Sequence, residues 1–222
     1  MTDVITPSEL NDIIERFGQE ATLKAQSETR AVFPGGWFPP SVIMALGLRE
    51  SLLQNIRGGA KKVNGVWEPS DTDEGWLQVT NTVSTNAAWL KTVPGCPNGS
   101  WDPDIPGFNA GKVNALTPAH NPTFSAALQY TLKQVVAERA QAYAAGVKPA
   151  DALRFVCAAH NAGFQGALTG YKAGNVDLHT THGDYSQWVL SYAPQIAAWI
   201  AAKPAWTWSP PKSWEWTEPE GT

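Results

Sequence analysis

Apolar residues recur at steps of three and four along most of this chain, and no segment sustains the every-second-residue alternation of a strand. Thr6 and Glu9 form a capping box at the start of the first helical pattern, with Pro7 at the first helical position. The spacing predicts helices over residues 7–26, 41–55, 122–146, 149–161 and 185–201, the last kinked or divided at Pro194. We therefore predict a mainly α fold with long loops and at most a small β-hairpin, around Asn64-Gly65.

Composition divides the chain into a helical body, a loop-rich middle and a distinctive end. Pro, Gly and Asn dominate residues 93–119, which we interpret as a long irregular loop. Eleven tryptophans are present, and several lie in the Pro-rich end, where they either pack onto the body or stack on flat-faced ligands such as sugar rings. We expect an N-terminal helix and loop over 1–40, packed on a main domain over 41–202, and a Trp- and Pro-rich tail over 203–222.

Charge and cysteine content exclude several classes of protein. Sixteen basic and twenty acidic residues give a net charge of −4, which argues against nucleic-acid binding. No apolar stretch approaches the ~20 residues that span a bilayer, so membrane insertion is not expected. Cys96 and Cys157 form either one bridge or two free thiols. His179 and His182 are three apart in a predicted loop rather than on a helix, so we expect no metal.

Position 50 places a carboxylic acid on an apolar helix face. The residues that share this face are Ile43, Leu46, Gly47, Glu50 and Leu53. A carboxylate there is costly unless it has a partner or keeps its proton, and burial raises a carboxyl pKa towards the range that a general acid needs. The alternative is structural: Glu50 pairs with Arg49 or Arg57, or lies at the rim of the face.

Four short segments carry the remaining chemistry of interest. They are GLRES at 47–51, GWLQV at 75–79, AHNAG at 159–163 and TTHGDY at 180–185. In this order they resemble the Arg-Glu-Ser, Gly-Leu-Met-Gln-Val, Ala-Tyr-Asn-Ala-Gly and Thr-Thr-His-Asp-Asp-Tyr motifs of goose-type lysozymes and lytic transglycosylases. The resemblance spans about residues 41–200. Trp76 and Leu77 replace Leu-Met, and His160 replaces a tyrosine.

This resemblance implies a lysozyme-like catalytic domain that cleaves the β-1,4 bond between N-acetylmuramic acid and N-acetylglucosamine. It implies that Glu50 protonates the glycosidic oxygen and that Tyr185 hydrogen-bonds Glu50 and holds it. The residues that it places along the cleft, in contact with substrate, are Ser51, Gln78, His160 and Asn161. Asn161 and Gly163 also fit a helix C-cap and its left-handed glycine.

A second carboxylate decides between two reactions. Inverting hydrolysis needs a base across the sugar, with the carboxyls about 6.5–9.5 Å apart. The family's hydrolases have aspartates in the loop after the Glu helix and one directly after Gln-Val, where this chain has Thr80. Asp73, nearest to segment 75–79, and Asp71 are our candidates, unless they belong to a solvated acidic loop. Without such a base the muramic 6-hydroxyl attacks instead and leaves a 1,6-anhydro end.

Three further expectations follow from the resemblance. The enzyme needs no cofactor, and it acts as a monomer on bacterial cell-wall glycan. The alternatives are a chitinase on the same scaffold, a glycan-binding protein that lost the chemistry, or a structural protein that docks through this domain. Because MTDVITPSEL has no signal-peptide pattern, we expect a phage-type endolysin released from the host cytoplasm through a separate pore, or export by an unrecognised route.

Overall fold

Six helices form most of the described structure. This is a computed structural model that describes residues 4–54, 60–63, 66–69, 73–80 and 124–202. For residue 80 and for the described residues between 60 and 74, it describes the backbone alone. The helices are α1 (Pro7–Phe17), α2 (Gln19–Val32), α3 (Pro40–Ser51), α4 (Phe124–Ala144), α5 (Ala152–Lys172) and α6 (Tyr185–Ala202). A short 3-10 helix, Thr181–Gly183, precedes α6. The described chain is mainly helical, which confirms the class predicted from periodicity.

Two short antiparallel strand pairs follow α3. The strands are β1 (Ala60–Val63), β2 (Val66–Pro69), β3 (Asp73–Glu74) and β4 (Val79–Thr80). β1 pairs with β2 in a register that sets Val63 opposite Val66, as the hairpin predicted at Asn64-Gly65 requires. β3 pairs with β4 around the turn at residues 75–78. The sequence predicted at most one hairpin and missed this second pair, because strands of two residues are too short to show an alternation.

The helix predicted over 7–26 is wrong in extent, because the chain breaks at Gly18. The capping box is present: Thr6 donates its backbone N–H to Glu9 Oε2 at 2.8 Å, and Glu9 donates its own to Thr6 Oγ1 at 3.3 Å. Gly18 then closes α1 by donating to the Ile14 carbonyl. A Cβ at position 18 would lie 2.8 Å from Leu53 Cδ1, so glycine lets this junction pack against the end of α3.

Helix α3 is the most buried helix and packs against both α2 and α6. It ends at Ser51, earlier than predicted, because Leu52 and Leu53 both adopt left-handed backbone angles, with φ of 53° and 62°. Such angles cost a non-glycine residue about 1–3 kcal/mol and persist only where the surroundings fix them. Leu53 is fully buried, so packing in the core holds its backbone in this conformation three residues after Glu50.

Helix α5 consists of two helical segments that meet at Gly163, and the first of them ends where the helix predicted over 149–161 ends. At Gly163 the backbone turns to φ 69° and ψ 162°, a conformation essentially restricted to glycine, and the helix then continues to Lys172. The sequence therefore predicted the end of the first segment and missed the second. Helix α6 has about the extent predicted, but it runs through Pro194 as one helix and is not divided there. Helix α4 packs against α2 and α5, and α5 packs against α6.

The N-terminal helices belong to the same hydrophobic core as the other four. Leu10 and Ile14 of α1 are buried within it. The backbone N–H of Ile5 donates to the Tyr192 hydroxyl on α6 at 2.8 Å. This hydrogen bond ties the first described residues to α6, which also packs against α3, the helix that carries Glu50.

Candidate active site

Three helices bring Glu50, Tyr185 and His160 together. Glu50 lies in the last turn of α3, Tyr185 begins α6, and His160 lies in α5 just before the bend at Gly163. The Tyr185 hydroxyl donates a hydrogen bond to Glu50 Oε1. His160 Nε2 lies 4.0 Å from the same oxygen. Sequence reasoning predicted all three as site residues, and the fold makes them neighbours.

The two oxygens of Glu50 have different surroundings. Both contacts from the described residues fall on Oε1, and none of these residues bonds Oε2. The Glu50 side chain is 18% exposed, so it is neither fully sequestered nor freely hydrated. Among the described residues, the protein therefore holds Glu50 through Oε1.

Tyr185 is a permanent hydrogen-bond donor in this arrangement. Its side chain is buried, and burial, followed by the negative charge of Glu50, raises the pKa of its hydroxyl well above the usual value. The phenol consequently keeps its proton at every working pH. A neutral donor of this kind orients a carboxyl group without neutralising it.

Arg49 braces the start of α6 and does not pair with Glu50. Its guanidinium lies 3.5 Å from Asp184 Oδ1 and 4.9 Å from the ring centroid of Trp188. It also lies 5.8 Å from the ring centroid of Tyr185. One interpretation of the sequence was that Arg49 pairs with Glu50. In the structure, Arg49 pairs with Asp184 instead. Arg57, the other candidate, lies outside the described residues.

Ser51 joins α3 to the turn at 75–78. Its buried hydroxyl donates to the Trp76 carbonyl at 2.8 Å, with the Gly47 carbonyl at 3.2 Å. Trp76 is fully buried and donates from Nε1 to the Phe124 carbonyl at 3.1 Å. The hydroxyl of Ser51 thus serves the fold, and its contact with substrate stays a prediction.

Gln78 ends that turn in a constrained conformation. Its φ of 45° lies in the left-handed region, and its Nε2 donates to the Gly75 carbonyl at 2.8 Å. The side chain is half-buried. Positive φ at a non-glycine residue is uncommon and concentrates at functional sites. This agrees with a role at the site but does not by itself assign one.

Asn161 positions the segment that leads into Tyr185. Its Oδ1 accepts the backbone N–H of Thr181 at 2.7 Å. The residue therefore links α5 to the 3-10 helix before α6. It also lies two residues before the break at Gly163, near the helix end that one interpretation of the sequence predicted. Because Asn161 follows His160 directly, the same stretch of α5 fixes two components of the site.

The two candidates for the second carboxylate both follow α3 in the chain. Asp73 lies in β3, where its backbone pairs with Thr80. Asp71 lies outside the described residues. Both remain predicted candidates for the base.

Cys157 does not act as a nucleophile with the neighbouring His160. It is a free thiol, fully buried in α5. Burial is the main cause that raises the pKa of the thiol far above its usual range, so it stays neutral and unreactive. Cys96, the other cysteine, lies outside the described residues.

Two features near the core were missed by sequence reasoning. Arg49 and Asp184 form a pair across 135 positions, and the only signal was that each directly precedes a predicted site residue. Glu28 on α2 is a buried acid; Ser125 donates to its Oε1, while its Oε2 has no partner among the described residues. Burial raises the pKa of the Glu28 carboxyl to about 7.

Within the described residues, no three His, Cys, Asp or Glu side chains cluster as metal ligands. No helix in the same part of the chain is long and apolar enough to cross a membrane. No protein-family model, curated protein or solved structure matches the chain.

Proposed function

We propose that this chain is a peptidoglycan-cleaving glycosidase with a lysozyme-like fold, of the goose-type lysozyme and lytic transglycosylase kind. The observation that carries the proposal is the hydrogen bond from Tyr185 to Glu50, two residues 135 positions apart. The motif resemblance assigns one as the acid and the other as the group that holds it. Helical periodicity alone gives no reason for them to meet, so their contact is independent support.

The reaction begins with a proton on Glu50 Oε2. Glu50 donates this proton to the glycosidic oxygen while the bond from that oxygen to C1 breaks, and the ring acquires oxocarbenium-like charge. Tyr185 keeps Oε1 in place, so the carboxyl does not rotate away from the scissile bond. This step leaves Glu50 as a carboxylate and the leaving sugar with a free hydroxyl.

Two second steps are chemically open. Water attacks C1 and loses its proton to Asp73 or Asp71, which gives a reducing muramic end. Otherwise the muramic 6-hydroxyl attacks C1 and passes its proton to the Glu50 carboxylate, which gives a 1,6-anhydro ring. The second route needs only the one carboxyl that the described residues place beside Tyr185.

The test is digestion of purified peptidoglycan by the full chain, with mass spectrometry of the products. We expect cleavage by the parent chain and a loss of at least about 100-fold in Glu50→Gln, because general acid catalysis contributes about 10²–10⁴-fold. Glu20→Gln, the same change at an exposed position on α2, is the matched control and should retain full activity. A product lighter by one water marks the anhydro route.

Three outcomes would overturn the proposal. Cleavage at the parental rate by Glu50→Gln removes the assigned acid. Preferred cleavage of N-acetylglucosamine oligomers over peptidoglycan indicates a chitinase on this scaffold. Saturable binding to the wall without any product, in a chain whose folding is verified by circular dichroism, indicates a glycan-binding protein.

A further inference from the structure

The start of α6 is held by a carboxylate from outside the helix. Helical hydrogen bonding in α6 begins with the Trp188 N–H, which donates to the Asp184 carbonyl at 2.8 Å. The N–H groups of Tyr185 and Ser186 therefore need partners outside the helix. Asp177 Oδ1 accepts the Ser186 N–H at 2.7 Å, from a position nine residues earlier in the chain. This acceptor lies in the turn between α5 and the 3-10 helix.

Thr180 supplies the partner of the other N–H group. Its Oγ1 accepts the backbone N–H of Tyr185 at 3.3 Å and donates to the Asp177 carbonyl at 2.9 Å. Asp177 and Thr180 thus satisfy two consecutive N–H groups, and one of these belongs to the residue that holds Glu50. Because the backbone at this point determines where the first side chain of α6 begins, the position of the Tyr185 hydroxyl depends on both acceptors.

Asp177 is itself held by side chains from two helices. Its Oδ2 accepts the Ser186 hydroxyl of α6 at 2.6 Å and Arg154 Nη2 of α5 at 2.9 Å. The side chains of Asp177 and Ser186 are both buried. Burial alone would raise the pKa of the Asp177 carboxyl, but the hydrogen bonds from Ser186 and Arg154 outweigh it and lower that pKa. Asp177 is therefore a carboxylate at the N-terminal end of α6, where the helix dipole favours a negative charge.

We propose that Asp177 is a positioning residue of the proposed glycosidase and that it acts through Tyr185. Together with Thr180, it fixes the first turn of α6, from which the Tyr185 hydroxyl reaches Glu50 Oε1. This inference rests on the proposed function. If the first turn of α6 shifts, the hydroxyl no longer meets Oε1, and a misplacement of about 1 Å in a catalytic arrangement costs up to about 100-fold in rate.

A double-mutant cycle on peptidoglycan cleavage separates positioning from a general effect on stability. Asp177→Asn keeps the size of the side chain but replaces one acceptor oxygen with an amide group. We expect kcat to fall about tenfold in the parent chain, with a smaller change in KM. In Tyr185→Phe, which lacks the hydroxyl through which Asp177 acts, the same change should lower kcat by less than about twofold. Urea unfolding should show the same loss of stability in both backgrounds. Equal reductions of kcat in the two backgrounds would overturn the proposal.

A milder pair of variants tests the same proposal if Asp177→Asn does not fold. Thr180→Val keeps the shape of the side chain but removes the acceptor of the Tyr185 N–H, so kcat should fall about three- to tenfold. Thr180→Ser restores that acceptor and should recover most of the loss. Thr131→Val on α4 is the matched control, because this buried hydroxyl also donates to a backbone carbonyl, that of Ala127 at 3.0 Å. It should lose stability and keep the parental kcat. Equal kcat values for Thr180→Val and Thr180→Ser would contradict the proposal.

A measurement that needs no activity separates this inference from the proposed function. The NMR resonance of the Tyr185 Cζ carbon, assigned by its loss in Tyr185→Phe, responds to the hydrogen bond of the attached hydroxyl. It should move in Asp177→Asn and Thr180→Val and keep its parental position in Thr180→Ser and Thr131→Val. An unmoved resonance in Asp177→Asn and Thr180→Val overturns the positioning role whatever the activity. A moved resonance in a chain that cleaves no peptidoglycan upholds the positioning of Tyr185 and overturns the glycosidase assignment. Circular dichroism of each variant verifies that the fold is retained.

Discussion

Trp76 packs against Gly47 so closely that a Cβ at position 47 would lie 2.3 Å from Cε3 of the indole ring. Gly47 is one turn before Glu50 on α3, and the Trp76 carbonyl accepts the Ser51 hydroxyl at 2.8 Å on the other side of that acid. The turn at 75–78 is thereby fastened to the helix on both sides of Glu50. The absence of a side chain at position 47 is a condition for the site.

Gly47→Ala should destabilise the protein despite the good helix propensity of alanine. The new methyl group meets a fully buried ring, and overpacking of this kind costs about 1–3 kcal/mol. We also expect lower activity, since the turn that ends at Gln78 must shift. Urea unfolding measures the first effect. Gly35→Ala, where no atom lies within 4 Å of the added carbon, is the control and should be neutral.

Tyr185→Phe should separate the role of the hydroxyl from that of the ring. The variant keeps the buried aromatic ring but removes the donor to Glu50 Oε1, so the carboxyl loses its fixed orientation. We expect kcat to fall about 10- to 100-fold with a smaller change in KM, because positioning acts on the chemical step. A hydrogen bond to a charged group contributes about 1.5–3 kcal/mol, so unfolding should also become easier.

The control for that variant is Tyr143→Phe. The Tyr143 hydroxyl accepts from Arg139 Nε at 3.4 Å on the exposed side of α4, and its loss should affect neither activity nor stability by more than about 0.5 kcal/mol. Equal activities of Tyr185→Phe and the parent chain would contradict the positioning role.

Arg49→Met should weaken the site without touching Glu50. The guanidinium, 10% exposed, pairs with Asp184 and stacks on Trp188, so its removal loosens the start of α6 where Tyr185 lies. Arg49→Lys keeps the charge but not the planar stacking surface, and should recover part of the stability. We expect the order parent, Arg49→Lys, Arg49→Met in both thermal midpoint and kcat.

An exposed ion pair supplies the comparison for Arg49. Arg16 and Asp12 lie 3.0 Å apart on α1 with side chains 67% and 56% exposed. Arg16→Met should therefore change stability by less than about 0.5 kcal/mol. A similar small effect for Arg49→Met would refute the bracing role assigned to it.

The sequence predicted helices more reliably than their ends. Periodicity marks a continuous amphipathic run through residue 18, yet the chain breaks there because Gly18 accommodates Leu53, a residue from a distant segment. At Gly163 the predicted helix end is present, but a second helical segment follows it, which the spacing did not predict. Both outcomes depend on tertiary contacts or on one φ/ψ pair, and neither is encoded in hydrophobic spacing.

In the candidate site, too, the sequence predicted some contacts and missed others. Motif order was sufficient to predict that Glu50 and Tyr185 meet. It did not predict that His160 lies at 4.0 Å from the same oxygen, or that Arg49 pairs with Asp184. Motifs name residues along the chain, whereas these distances depend on how α3, α5 and α6 cross. Charge partners over long separations therefore had to come from the structure.

Glu28 should make stability depend on pH in the neutral range. Burial raises the pKa of its carboxyl from 4.5 to about 7 in the folded protein, against the weaker effects of Ser125 and Lys24. Because the folded state holds this proton more tightly than the unfolded state, the free energy of unfolding should fall as pH rises from about 4.5 to about 7 and then level off. The full effect amounts to at most about 3 kcal/mol.

Glu28→Gln tests this sign directly. The neutral amide has no charge to bury, so the variant should gain stability relative to the parent as pH rises from about 4.5 to about 7, and the difference should be level on either side of that range. Glu138 on α4, whose pKa burial likewise raises to about 7, leaves a residual slope in the variant. Urea unfolding at pH 4, 6 and 8 measures the slopes, with Glu20→Gln as the exposed control. Parallel curves for Glu28→Gln and the parent chain would contradict a buried, proton-holding Glu28.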